Sequence, residues 1–238
     1  MSQPRDERRS FSLRHPLSYL GASGLVGAVV IGLLVWGFAS IADAIADKGH
    51  IIHVDARVTE WLQVHGTERG ETVFSWVSWL GSPALVVIVA VAVILYARRR
   101  QWHEATAVFT SAVGASLLNV VLKSIFHRGR PEYASEFITG VSWSFPSGHA
   151  MSSAAAYGMI AYLVCAQITG RWQRVSIVAT TCAVVGLVAF SRIYLGVHYL
   201  SDVVAGLLAG SVWMLVCISG YRWAARRSRG ADPSLRRG

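Results

Sequence analysis

The chain has 238 residues, of which 53% are hydrophobic, and a net charge of +9. That apolar share exceeds what an ordinary soluble domain of this length carries, and it is gathered into long uncharged blocks, which excludes a single water-soluble core. The charge would suit nucleic acid on a soluble domain, but it is distributed by side of a membrane, which excludes a nucleic-acid partner.

Residues 1–18 are polar and basic and read as a cytoplasmic tail. Blocks poor in Asp, Glu, Lys and Arg follow at 15–42, 72–97, 105–122, 133–170 (interrupted by Glu136), 175–191 and 203–221. Most can cross about 30 Å of hydrocarbon at about 1.5 Å per residue, and the fifth does so with Arg174 and Arg192 at the two interfaces. Six transmembrane helices are predicted, an all-α polytopic fold. The first, over 19–42, is rich in glycine, which lets membrane helices pack closely. It follows a basic N-region and is longer than the apolar core of a cleaved signal, so it reads as an uncleaved anchor despite the "ADAIA" at 42–46.

Between the first two spans, "VDARVTEWLQVHG" places Val54, Val58, Trp61, Leu62 and His65 at helical spacing, a short amphipathic helix on the membrane surface. The second span ends before Arg98, Arg99 and Arg100, and the third covers 103–126. A loop over 127–145 follows, then spans four, five and six, joined by the turn "TGRWQR" and a second turn near 195–201. The membrane domain is expected over 19–223 and a basic tail over 224–238. With the N-terminus inside, fifteen of the 22 basic residues are cytoplasmic, from Arg5 to Arg14, Arg98 to Arg100, Arg171, Arg174 and Arg222 to Arg237. This bias places both termini in the cytoplasm. The abundance of Arg over Lys points to a bacterial source, hence a plasma membrane. Cys165, Cys182 and Cys217 fall within apolar runs at no metal spacing and read as small buried residues. His50, His53 and His65 read as surface histidines rather than a metal site.

Three polar clusters interrupt this pattern: "KSIFHRGRP", "PSGH" and "SRIYLGVHYLSD". The topology puts all three at the outer face, where ionisable residues are costly and meet a partner or a polar cavity. Lys123, Arg130 and Arg192 suit a phosphoryl group, the arginines through forked donation. Pro146 suits the first turn of a helix, where Ser147 and Gly148 then offer free N–H groups to an anion. His198 and Asp202 are four residues apart, within reach on one helical face, so the carboxylate can fix the imidazole tautomer. His149 supplies a second imidazole as proton donor. A nucleophile, an acid and an anion cradle make a phosphatase site. His127 and Arg128, beside the first cluster, read as solvated loop residues, and Ser191 either bonds locally or touches phosphate.

The pattern Lys-x6-Arg-Pro, Pro-Ser-Gly-His and Ser-Arg-x5-His-x3-Asp resembles the type 2 phosphatidic acid phosphatase (PAP2) superfamily, which joins membrane lipid phosphatases to soluble vanadium haloperoxidases. The likeness covers about residues 70–221. It implies that His198 is the nucleophile, forming a phosphohistidine, that His149 is the leaving-group acid, and that Asp202 orients His198. Lys123, Arg130, Ser147, Gly148 and Arg192 are then the phosphate ligands. The expected substrates are lipid phosphates in the outer leaflet: phosphatidylglycerophosphate, phosphatidic acid or a polyprenyl diphosphate. No metal and no cofactor are implied, because the cations are side chains. Membrane lipids are the expected surroundings, and no oligomeric state is implied. The rival readings are a vanadate-holding peroxidase, which six spans disfavour, and an anion-binding protein or transporter, which needs no paired nucleophile and acid.

Overall fold

The computed structural model describes residues 16–132 and 143–230. The tails expected at 1–18 and 224–238 lie partly outside this range, as does much of the loop before "PSGH". Among the described residues eight helices run in chain order: α1 Pro16–Ala46, α2 His50–His65, α3 Glu68–Trp79, α4 Pro83–Arg98, α5 Trp102–Phe126, α6 Gly148–Gln167, α7 Arg171–Tyr194 and α8 Leu200–Gly230. Among the described residues there is no strand. Six stretches of the described residues are long and apolar enough to cross a membrane, with α3 and α4 sharing one, Glu68–Arg98.

The shared span differs from the continuous helix expected over 72–97. Thr67 caps α3 by accepting the Gly70 N–H at 3.1 Å, so the helix starts earlier, among residues too polar to read as hydrocarbon. It breaks at Leu80–Ser82, and Pro83 restarts the chain at the first position of α4, where its missing N–H costs nothing. The predicted surface helix is α2, and it packs on α1, α7 and α8. It turns Trp61 and Val64 outward and buries Asp55, Thr59 and Leu62.

α6 is the central helix, packed against α5, α7 and α8. It carries Ala150, Ala154, Ala155, Ala156 and Ala161 inward, and the smallness of these residues sets how closely its neighbours approach. The tightest approach is to α8. A Cβ on Gly206 would sit 2.5 Å from the Ser147 carbonyl oxygen, and one on Gly210 2.3 Å from that of Met151. The two backbones therefore touch with no side chain between them. Large apolar residues on the outer surfaces, such as Leu33, Trp36, Val86, Leu117 and Val178, face hydrocarbon. Cys182 is among the outward-facing residues rather than buried as expected, and the three cysteines are unpaired. A thiol is apolar enough for lipid contact, so its apolar surroundings did not distinguish the two faces.

Candidate active site

The end of the bundle where α5 finishes and α6 and α8 begin gathers the three polar clusters. α5 closes on His127, whose left-handed conformation (φ 44°, ψ 36°) lets its N–H reach the Lys123 carbonyl at 3.3 Å. The turn sends Arg128 and Arg130 back across the bundle end. Arg130 donates from Nη1 to the Val197 carbonyl at 2.7 Å, which ties the first cluster to the third.

The second cluster is pinned from both sides. Asn119 on α5 donates its amide to the Pro146 carbonyl at 3.1 Å, and the Ser147 N–H donates to the Asp202 carbonyl at 2.9 Å. Ser147 is thus the N-cap residue of α6, and Pro146 precedes it rather than occupying the first helical turn. The expected free N–H of Ser147 is consumed in holding α8. The N–H groups of Gly148, His149 and Ala150 at this helix start have no acceptor within the helix, whose first such bond is from Met151 to Ser147. A Cβ on Gly148 would lie 2.9 Å from Asn119 Oδ1, so the Asn119 amide would have to shift. The Ser147 hydroxyl is buried and has no hydrogen-bond partner among the described residues.

His149 packs against the break between α3 and α4: a Cβ on Gly81 would come within 3.0 Å of its Cδ2. The last turn of α3 and the break each supply a further group. Ser78 accepts a hydrogen bond from Arg192 Nη1, and the Leu80 carbonyl accepts one from Tyr157 at 2.6 Å. Arg192 keeps a buried Nε with no partner among the described residues. Lys123, Arg130, Arg192 and His198 all act electrostatically on His149, so the five groups share one locality.

His198 is 2% exposed and lies in the turn before α8, not on it. Its Nδ1 faces Asp202 Oδ2 at 3.5 Å and Ser144 Oγ at 3.4 Å. The expected pairing is therefore made across a helix start rather than along one helical face. Asp202 reaches back from the first turn, and its Oδ2 also accepts the Tyr199 N–H at 3.0 Å and the Ser144 hydroxyl. Burial pushes the His198 imidazole down to about 4. The Asp202 bond and charge pull the other way, and Arg130 and Arg192 add to the depression. At neutral pH the ring is uncharged, with Nδ1–H directed at Asp202 and the lone pair on Nε2 available. Burial also lowers the Arg130 guanidinium from its ordinary value.

All eight residues singled out by the sequence thus stand at this one bundle end. Ser191 bonds locally, donating to the Val188 carbonyl at 2.6 Å. His127 is exposed beside Trp143, as expected. Arg128 is not a solvated loop residue: its side chain is 10% exposed and paired with Asp55 and Asp202. Asp55, Ser78, Gly81, Asn119 and Ser144 were not singled out by the sequence either. Their only sequence signals were polar residues in or beside apolar runs and a Gly-Ser-Pro interruption.

Comparison with known proteins defines the class. A phosphatidylglycerophosphatase B of Bacillus subtilis is 34% identical over 148 residues, covering 61% of this chain and 70% of that protein. A decaprenylphosphoryl-5-phosphoribose phosphatase of Mycobacterium tuberculosis is 33% identical over 148 residues, covering 60% and 75%. The crystal structure of a transmembrane PAP2 type phosphatidylglycerolphosphate phosphatase from Bacillus subtilis superposes with a TM-score of 0.72 at 25% identity, covering 81% of this chain and 96% of that one. The chain is a membrane-embedded phosphoric ester hydrolase. It belongs to the PAP2 superfamily, whose family model matches residues 104–226.

Proposed function

We propose that this enzyme hydrolyses lipid phosphate monoesters or diphosphates at the outer face of the membrane, without a metal, through a phosphohistidine. The observation that carries the reading is the meeting of Lys123, Arg130 and Arg192 with two imidazoles at one bundle end, beside the start of α6, where the buried Ser147 hydroxyl has no partner among the described residues. Three cations from separate segments can neutralise a phosphoryl dianion where water is scarce. The Gly148 and His149 N–H groups at the start of α6 add donors at a positive helix end.

In the first step, His198 Nε2 attacks phosphorus while the bond to the lipid oxygen breaks. A proton from the His149 side passes to the departing oxygen, and Asp202 holds Nδ1–H and stabilises the charge that builds on the ring. In the second step, water attacks the phosphohistidine and gives its proton to His149. The P–N bond breaks, inorganic phosphate leaves, and His198 is restored. Phosphatidylglycerophosphate, phosphatidic acid and polyprenyl diphosphates are the candidate substrates, and the names of the two bacterial relatives point to the same class of lipid phosphates. The outward orientation is supported by Arg98–Arg100, Arg171 and Arg174, which lie in or beside turns at the end of the bundle opposite the cluster. Residues 19–223 then form the phosphatase domain between two cytoplasmic tails.

The test is phosphate release by purified protein from a panel of these lipids. Release should persist in excess chelator and stop with vanadate, which mimics a trigonal phosphoryl group. Complete loss on chelation, restored by magnesium, would overturn the mechanism.

A further inference from the structure

Arg128 lies two residues before Arg130. Its guanidinium forks between two buried carboxylates: Nη2 donates to Asp55 Oδ2 at 2.7 Å and Nη1 to Asp202 Oδ1 at 2.7 Å. Nη1 also donates to Ser201 Oγ at 2.7 Å, and the guanidinium carbon stands 4.3 Å from the centre of the Tyr199 ring. Asp55 projects from α2 and is 1% exposed. It accepts the Ser201 N–H at 2.9 Å on Oδ1 and the Ser201 hydroxyl on Oδ2. Asp55, Ser201, Asp202 and Arg128 form a closed ring around the first turn of α8. Asp55 supplies, from another helix, the acceptor that a capping side chain usually provides. Asp202 reaches back to the N–H before the helix, the second half of a capping box.

A cap alone does not call for this arrangement. Burying two carboxylates and a guanidinium carries a desolvation cost that a serine cap avoids. The division of labour on Asp202 shows what the ring adds. Its Oδ2 serves His198, Ser144 and Tyr199, and its Oδ1 is held by Arg128. Turning the carboxylate would break the Arg128 fork, and Asp55 keeps that fork from swinging. We propose that Arg128, anchored by Asp55, is a positioning residue that fixes the carboxylate plane of Asp202 and through it the ring of His198. This rests on the reading of His198 as nucleophile and Asp202 as its partner. The ring of two carboxylates and one guanidinium also leaves one negative charge beside His198, which favours the positive charge that builds as the N–P bond forms. Lysine cannot replace Arg128 fully, because an ammonium is a point charge without the planar fork.

The experiment compares wild type, Arg128→Gln, Arg128→Lys, Asp55→Asn and the double variant Asp55→Asn/Arg128→Gln, on an aryl phosphate and in detergent. Arg128→Gln and Asp55→Asn should each lower kcat, by about 10–100-fold for loss of an orienting partner. KM and the vanadate inhibition constant should move by less than about threefold, because Lys123, Arg130 and Arg192 are untouched. Arg128→Lys should recover part of the loss. The double variant should lose no more than the worse single one, because both changes break the same ring. Wild-type kcat in Arg128→Gln, losses that multiply in the double variant, or a vanadate affinity that weakens in step with kcat would each overturn the proposal. If Arg128→Gln does not yield monodisperse protein, Arg128→Lys and Asp55→Asn decide by the same criteria. The outcome is read as ratios to wild type on the aryl ester. Failure of the wild type on every lipid phosphate would sink the substrate reading and leave these ratios intact.

Discussion

His149 opens α6 and His198 precedes α8, and the two rings place different demands on a leaving group. In the proposed mechanism His198 attacks phosphorus for every substrate, so His198→Ala should abolish turnover of phosphatidic acid and of nitrophenyl phosphate alike. Protonation matters most where the departing oxygen is a poor leaving group. His149→Ala should therefore lower phosphatidic acid hydrolysis by about 10²–10⁴-fold and spare much more of the aryl ester activity. Phosphate release from both esters by both variants checks this. Equal proportional losses in the two variants would remove the division of roles. The eight residues at the bundle end were legible because seven are polar or charged beside hydrocarbon, where that is costly, and because all eight, Gly148 included, fall into three spaced motifs. Arg128 and Asp55 were not legible for the converse reason. Each sits in a polar stretch where a charge is unremarkable, and 73 residues separate them. Only the fold turns two solvent-compatible charges into a buried pair. Ser147 shows a subtler limit: its N–H looked free because an acceptor from α8, 55 positions later, has no local signature.

At the scale of elements, the α6–α8 seam is the most constrained contact. Gly206→Ala would force its new methyl to within 2.5 Å of the Ser147 carbonyl oxygen, and backbone cannot step aside as a flexible side chain can. The expected cost is about 1–3 kcal/mol, typical of an added methyl in a packed interior. Because Ser147 is the atom group displaced, kcat should fall as well. Thermal unfolding in detergent, with phosphate release on the same sample, reads both effects; unchanged stability and rate would show that the seam can open. The six spans themselves were plain in the sequence, since hydrocarbon thickness dictates a run of apolar residues. The break at Leu80–Ser82 was not, because the apolar run from 72 to 97 is already long enough to cross and calls for no interruption. Its Gly-Ser-Pro signal is clear only once His149 is seen to pack against Gly81.

For the molecule as a whole, sidedness is the property that couples fold to substrate. Glu60 on α2 is exposed, and α2 is tied through Asp55 to the same bundle end as His198, whereas Gln173 is exposed at the opposite end. In a background lacking Cys165, Cys182 and Cys217, Glu60→Cys should react with an impermeant thiol reagent in intact cells and Gln173→Cys should not. The reverse pattern would invert the orientation and the leaflet served. Bilayers differ in thickness, and membrane helices answer a mismatch by tilting or sliding. Where bare backbones meet at Gly206 and Gly210, no layer of side chains is available to shear. α6 and α8 must tilt as one body, carrying His149 and His198 together. The spacing between the two imidazoles is thus insulated from the lipid around the enzyme, and adjustment to a thicker or thinner membrane falls on the outer helices α1 and α4.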